Sequence, residues 1–531
     1  MNYERFGLLI CCADNGVMNV NRIKHLIDVM QKMRYNLLEI SIDDTYKIED
    51  EPYFGYLRGG YTQEELKEID EYAFVHGVEL VPCIQTLGHL TNLLKLPHYS
   101  NIVDIGNIML IDEPATYALI EKMFQTLQKC FRTRLVNIGF DEAHMVGLGK
   151  YLDKHGYVNR YELLLRHLQR VVEIADKYGF RIHMWSDMFF RLALQGGYYG
   201  KGIVIPQEVK DKVPENVDLC YWDYGEHELD KEIFDEMFKT HKSFHREIWF
   251  AGGAWCWNGF APFNQYSLDS MSLAMKQVRK HEIKNVFITL WGNDGNECSW
   301  FSTLPALYAI RQYADGNFDE ESIKKGFEET FHLSFDDFML LDLPNKINPQ
   351  RVKIENPCKS LLYNDCFVGW KDSALEKVDF IDYGDYAKQL RETSKRAGEY
   401  KYIFDNLVAL CSLLEKKAYL GLRTRKAYQN GDRKALKKLL KDYAAAARRV
   451  AKFKATYKKL WMTDMKPYGW EVQTARLGGL ESRILDCKQR LEEYLSGKTD
   501  RIPELEETIL EYADWGLQYN SYRGSVTVSQ I

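Results

Sequence analysis

No stretch of the 531 residues forms a run of roughly 18 consecutive apolar side chains, so no segment is expected to span a membrane. The opening MNYERFGLLICCADNGV has no basic region before its short apolar run (6–13) and no small-residue cleavage pattern after it, so no secretory leader is expected. Positive charge is not in excess either. There are 70 Lys and Arg against 76 Asp and Glu, a net charge of −6, which argues against nucleic acid or an anionic membrane as the main partner. The 11 cysteines include no CxxC pair; most, such as Cys11, Cys12, Cys83, Cys130, Cys220 and Cys256, lie in apolar runs. They read as small buried hydrophobes in a reducing, cytoplasmic setting. No GxGxxG or Walker-type loop follows the first strand-like segment, and no Ser-His-Asp or Cys-His set stands out. His89, His144, Asp43 and Asp44 are of metal-ligand type, but no pair has a compact spacing such as HExxH. Neither a metal nor a cofactor is expected.

What is present is ordinary globular material, 46% hydrophobic and 27% charged, enough for a large core. Over the first 300 residues, short β-type runs alternate with longer helical patterns. The runs are 6–13, 36–43, 78–85, 135–141, 181–187, 217–224, 247–255 and 285–292. They hardly alternate between apolar and polar residues, as strands of a parallel sheet covered by helices require. Amphipathic stretches such as 20–34, 61–77 and 161–179 lie between them, the last two ending in glycine. Eight such repeats predict a (β/α)8 TIM barrel; an open doubly wound sheet is the rival, disfavoured by the missing phosphate loop. Beyond about residue 316 the pattern changes, and from 385 long helices dominate (385–421, 433–461, 472–497 and 503–519). The expected organisation is therefore a barrel over 1–330 and an all-α C-terminal domain over 331–531. Segment 433–460 holds 11 Lys and Arg against one acid, Asp442. Leu436, Leu439, Leu440, Tyr443, Val450, Phe453 and Tyr457 recur there at helical spacing. The basic residues thus read as the solvated face of a packed helix rather than a nucleic-acid arm.

In a barrel of this kind the chemistry sits where the strands end. Carboxylates and aromatics concentrate there, most densely in GFDEAH (139–144). Adjacent residues of a strand point to opposite faces, so Asp141 and Glu142 share a cavity only if the strand has ended and the backbone turns. Two carboxylates in one pocket push their pKa values apart, giving one proton donor and one anion, as glycoside cleavage needs. The plainer alternative is that the pair caps the following helix. Trp185, Trp222, Trp255, Trp257 and Trp291, all at or near strand ends, favour the pocket, because flat apolar rings beside polar groups suit a sugar.

These segments, taken in order, resemble the β-N-acetylhexosaminidases of glycoside hydrolase family 20. The resemblance rests on ISIDDTY (40–46), the stretch 61–90 ending in GHL, IGFDEAH (138–144), MWSDM (184–188), YWD (221–223) and LWGNDGNE (290–297), and spans about residues 5–315. The small α/β domain that precedes the barrel in many members is missing, and a helical C-terminal domain is present instead, as in the short branch. The resemblance implies a retaining, exo-acting enzyme that removes terminal β-linked GlcNAc or GalNAc, with the substrate's own acetamido oxygen as nucleophile. It implies that Asp141 holds the acetamido N–H, that Glu142 is the acid and base, and that Tyr221 orients the acetamido oxygen. His89, backed by Asp43, would pair with Glu142. Trp185 and Trp291, with Trp255 or Trp257, would wall the methyl group, and Asp223, with Asp294 or Glu297, would bind hydroxyls. The arginine that many members carry at the end of strand one is replaced by Ala13–Asp14, leaving Asp14 as a hydroxyl contact. The competing readings are another TIM-barrel glycosidase acting on 2-acetamido sugars and a non-catalytic sugar-binding barrel. The expected partner is a glycan or glycoconjugate ending in N-acetylhexosamine. A homodimer is the expected assembly, in which one chain could bring a loop near Trp461 or Trp470 to the other's pocket.

Overall fold

The computed structural model describes residues 2–225, 230–349, 355–511, 517, 521–527 and 529. Eight parallel strands close into a barrel: β1 (Arg5–Cys11), β2 (Leu37–Ser41), β3 (Glu79–Cys83), β4 (Leu135–Asn137), β5 (Arg181–Trp185), β6 (Val217–Trp222), β7 (Ile248–Gly253) and β8 (Asn285–Leu290). Closure comes from β1 pairing with β8, Arg5 opposite Asn285 through Ile10 opposite Leu290. The eight expected runs are these eight strands. The long gap between β3 and β4 holds a small antiparallel hairpin (Val103–Ile105 with Ile108–Met109), which the sequence pattern did not signal, and the helix Pro114–Cys130.

The burial pattern explains why the strands do not alternate. Leu9 joins Leu37, Val81, Leu135 and Phe287 inside the barrel, while its neighbours Leu8 and Ile10 pack outward beneath the helices. Both faces are therefore apolar. One interior layer is polar: fully buried Glu39 meets His183 Nε2 at 2.8 Å and accepts from Asn137 Nδ2 at 3.2 Å, and His183 stacks on Trp249. The helices start on local signals. Asn19 caps Val20–Lys32, and Thr62 with Glu65 forms a reciprocal capping box at Gln63–Val75. All eleven cysteines are buried and free. Among the described residues no helix is long and apolar enough to cross a membrane.

The C-terminal region is built on the helices Lys401–Lys417, Arg433–Asp464 and Trp470–Ser496. Along the longest, Leu436, Leu439, Tyr443, Val450, Phe453 and Tyr457 are buried, while Lys437, Lys438, Lys441 and Lys452 between them are exposed. Within the expected helix at 503–519, the described residues are helical over Pro503–Glu506 and leave the helix over 507–511. Leu510 is left 77% exposed, so the short stretch directly after Glu506 has little apolar cover to hold it helical. Residues 512–516 and 518–520 lie outside those described.

The C-terminal helices are tied to the mouth of the barrel by buried charge. Asp464, 1% exposed, accepts from Ser299 Oγ at 2.6 Å and Tyr402 Oη at 2.7 Å and pairs with Arg22. Beyond β8, Glu297 and Asp294 receive Lys359 Nζ at 2.6 and 3.0 Å and Arg476 at 3.3 and 2.9 Å. Removing one member of such a cluster strands a buried charge, whereas neutralising its partner as well relieves the penalty. Lys359→Met is expected to lower stability toward urea by about 3 kcal/mol, and Glu297→Gln added to it to restore part of the loss. Unfolding followed by tryptophan fluorescence checks both variants.

Candidate active site

The strand β4 stops at Asn137, and the next residues turn sharply, with positive φ at Gly139 (73°), Phe140 (77°) and Glu142 (51°). That turn aims Asp141 and Glu142 into one cavity instead of to opposite faces. A Cβ on Gly139 would lie 2.0 Å from Gln85 Oε1, so any side chain there would push Gln85 from its place. Positive φ at a bulky residue such as Phe140 is strained backbone, the kind that clusters at working sites. The cavity, about 310 Å³, opens at the C-terminal ends of the strands. Asp14, Asp43, His89, Trp185, Trp257 and Trp291 also line it.

His89 sits between the two carboxylates. Its Nε2 is 3.1 Å from Asp141 Oδ2 and 3.3 Å from Glu142 Oε2. Burial would lower the imidazole's pKa, but the two carboxylates outweigh it and raise the value well above the usual range. Burial likewise works to raise Glu142, yet His89, the Tyr198 hydroxyl and Arg191 together hold its carboxyl down at about 2. Tyr198 Oη donates to Glu142 Oε1, and the Arg191 guanidinium lies over the Tyr198 ring at 4.1 Å. Gln85 Nε2 donates to Asp141 Oδ1 at 3.1 Å. Asp43 is pushed up to about 8, chiefly by burial, against the pull of His89 and with Asp14, Asp44 and Asp141 adding to the rise. It accepts from Ser41 Oγ at 3.1 Å, and among the described contacts it acts on His89 through the field rather than through a bond. Asp187, fully buried, accepts from the Glu142 amide at 3.0 Å, and burial and Asp141 raise its carboxyl.

Several expected site residues stand elsewhere. Tyr221 is corrected: on β6 the interior face belongs to Cys220 and Trp222, so Tyr221 points outward, fully buried and stacked on His241. Its hydroxyl donates to Asp223 Oδ2 at 2.7 Å, and Asp223 also accepts from the Gly225 amide, so Asp223 too is turned from the cavity. Trp255 stands behind the wall, stacked on Trp257 at 4.2 Å with its indole N–H on the Tyr224 carbonyl. Glu297 is corrected as well, being committed to Lys359 and Arg476, and Asp294 shares those cations at the rim of a neighbouring cavity. In their place the structure brings in Tyr224, Tyr198, Gln85 and Asn293, which sequence reasoning did not assign, beside Trp222, one of the strand-end tryptophans expected at the pocket. The Tyr224 hydroxyl accepts from Trp291 Nε1 at 2.9 Å. The available signal was parity: 220, 222 and 224 share a face, but an apolar strand does not show which face is inward.

A guanidinium does reach the end of β1, from another loop. Arg58 donates to the Ala13 carbonyl and lies 3.4 Å from Asp44. Asp14, exposed on the cavity wall, accepts from Cys11 Sγ at 3.2 Å.

Residues 7–223 match the family model for the glycosyl hydrolase family 20 catalytic domain, and residues 336–520 match that for the Glycoside Hydrolase 20C C-terminal domain. Hexosaminidase D of Bos taurus is 26% identical over 221 residues, 39% of this chain and 58% of its own length. Hexosaminidase D of Homo sapiens is 24% identical over 220 residues, 39% of this chain and 42% of its own. The chain thus spans well under two thirds of these curated relatives. A chitobiase structure from Flavobacterium johnsoniae aligns over 99% of this chain and 78% of its own, at 16% identity and a TM-score of 0.48. The two family models fall on the two halves of the molecule, the first on the strands that carry the paired carboxylates and the second on the helices docked beside them, and the chain belongs to glycoside hydrolase family 20.

Proposed function

We propose that this chain is a retaining, exo-acting β-N-acetylhexosaminidase that cleaves terminal β-linked GlcNAc or GalNAc by substrate-assisted catalysis. The observation that carries the reading is His89 lodged between Asp141 and Glu142 in a single tryptophan-walled cavity. A sugar-binding barrel has no need of an acid so placed. The same reading divides the chain into a catalytic barrel, 1–330, and a helical domain, 331–531.

The proposed steps are these. The acetamido oxygen of the substrate attacks the anomeric carbon as the bond to the leaving oxygen breaks, forming an oxazolinium ion. Asp141, held by Gln85, accepts the acetamido N–H and stabilises the positive charge that develops. Glu142 hands a proton to the leaving oxygen, then takes one from the water that opens the ring. A carboxyl held at about 2 is an anion at neutral pH, so the transferred proton resides on His89 and passes through Glu142. Trp185, Trp257 and Trp291 wall the acetamide, and Tyr224, placed by Trp291, takes the role expected of Tyr221 at the acetamido oxygen. Asp14, Asp44 and Asn293, which also line the cavity, are the side chains proposed to meet the sugar hydroxyls.

The direct test is release of the aryl alcohol from an aryl β-GlcNAc glycoside, with the matching β-glucoside, which lacks the acetamido nucleophile, left essentially untouched. Asp141→Asn and Glu142→Gln should each lower kcat for an unactivated glycoside by about 10²-fold or more; near-normal turnover in either rejects the assignment. Tyr224→Phe should cost about 10²-fold in kcat/KM, while Tyr221→Phe, outside the cavity, should stay within about threefold of wild type. The pH–rate profile gives an independent check. The shared proton is lost as pH rises through the raised His89 pKa, so the alkaline limb of kcat/KM should lie above the usual imidazole value of about 6.5. In His89→Gln the proton is held by Glu142 itself, in the carboxylate range, and the limb should move to lower pH.

A further inference from the structure

Beside the sugar-sized cavity lies a wider one of about 880 Å³, nearly three times the first at about 310 Å³. The two share lining residues, among them Asp14, Asp44, Asn92 and Glu142, so the acid stands on their common wall. Two separate parts of the chain build the outer cavity. The loop after β2 supplies Tyr53, Tyr56 and Arg58, and the start of the helix Trp470–Ser496 supplies Val472 and Arg476. Tyr53 and Tyr56 are 45% and 53% exposed, with ring centroids 6.1 Å apart. Large rings left open to water beside polar groups are the kind of surface that stacks on a sugar.

The two halves are packed on each other, not merely close. Gly59 has φ +72° and lies so near Tyr468 that a Cβ would come within 2.7 Å of its ring. Lys466 Nζ reaches Glu65 at 2.7 Å and covers the Tyr61 ring at 4.5 Å. The Gly469 carbonyl accepts from Asn15 Nδ2 at 3.2 Å. The segment around Trp461 and Trp470, expected to reach a partner's pocket, thus lies at the pocket of its own chain.

We infer that the outer cavity is the leaving-group site, taking a carbohydrate aglycone of more than one sugar ring, with Tyr53 and Tyr56 as its stacking platform and the C-terminal region as its opposite wall. This rests on the hexosaminidase reading: the oxygen that receives the Glu142 proton belongs to the leaving group, so that group must begin at Glu142, where the outer cavity begins. Leaving-group preference is then set in part by a domain that contributes nothing to the sugar-sized cavity.

The test compares kcat/KM on an aryl β-GlcNAc glycoside with that on the best-cleaved member of a panel of β-GlcNAc-terminated oligosaccharides. Tyr56→Ala, at an exposed position, should lower the ratio of oligosaccharide to aryl activity about tenfold. Val472→Trp, which fills the cavity from the other side, should lower it at least as much. An unchanged ratio in both variants, or a wild type that cleaves the aryl glycoside but no oligosaccharide, overturns the leaving-group assignment while the hexosaminidase reading stands. A wild type that cleaves no GlcNAc glycoside at all overturns that reading, and this inference with it.

Discussion

A single imidazolium between two carboxylates sets the terms for the rest of the site. Asp14, Asp43, Asp44, Asp141 and Glu142 all line the inner cavity, and His89 is the basic side chain that lines it with them among the described residues. In a low-dielectric space so many acids cannot all ionise. The molecule resolves this by position. Glu142 keeps its charge because His89, Tyr198 and Arg191 surround it, and Asp43 keeps a proton up to about pH 8 because burial and other acids surround it. Holding the imidazole at 3.1 and 3.3 Å from two different residues requires backbone that ordinary loops avoid, with positive φ at His89 itself and at Phe140 and Glu142. The Gln85 and Asp187 contacts to Asp141 and to the Glu142 amide pin that strained turn from behind.

The aromatic wall shows the same layered construction. Trp185 and Trp291 face the cavity with ring centroids 5.8 Å apart, Trp222 stacks on Tyr224, and Trp255 backs Trp257. Trp291 and Trp255 hold Tyr224 from its two ends, one at the hydroxyl and one at the carbonyl. Beneath this wall the buried Glu39, His183 and Asn137 layer gives the barrel a polar floor with its groups mutually bonded, so the cavity rests on fixed dipoles rather than on a purely apolar core.

The barrel was legible because parallel strands buried on both faces leave unbroken apolar runs, and the paired acids were legible because their adjacency made sense only at a turn. The same lack of alternation hid what came next. On β6 nothing in LCYWDY marks Trp222 and Tyr224 as inward and Tyr221 and Asp223 as outward, so the strand alone does not show which tyrosine faces the cavity. The family resemblance implies a hydroxyl-binding role for Asp294 or Glu297. Their cations, Lys359 and Arg476, come from sequence 62 and 179 residues beyond Glu297, and no local pattern announces them. Tyr198 and Arg191 come from the segment after β5, where aromatic and basic residues carry no periodic mark of their destination.

The docking of the first βα loop on the C-terminal helices has a consequence for the order of events as the chain is made. Asn19, which caps the first helix, donates through its side chain to Thr463, 444 residues away, and Lys466 closes on the carbonyl of Val17. The strand β1 must wait for β8 to close the barrel, and its loop must wait longer still, until the long basic helix has been synthesised. The inner and outer cavities both draw on that loop, through Asp14 in each. The site is therefore assembled only once segments 444 residues apart have met, and the edge of β1 stays open until β8 is made.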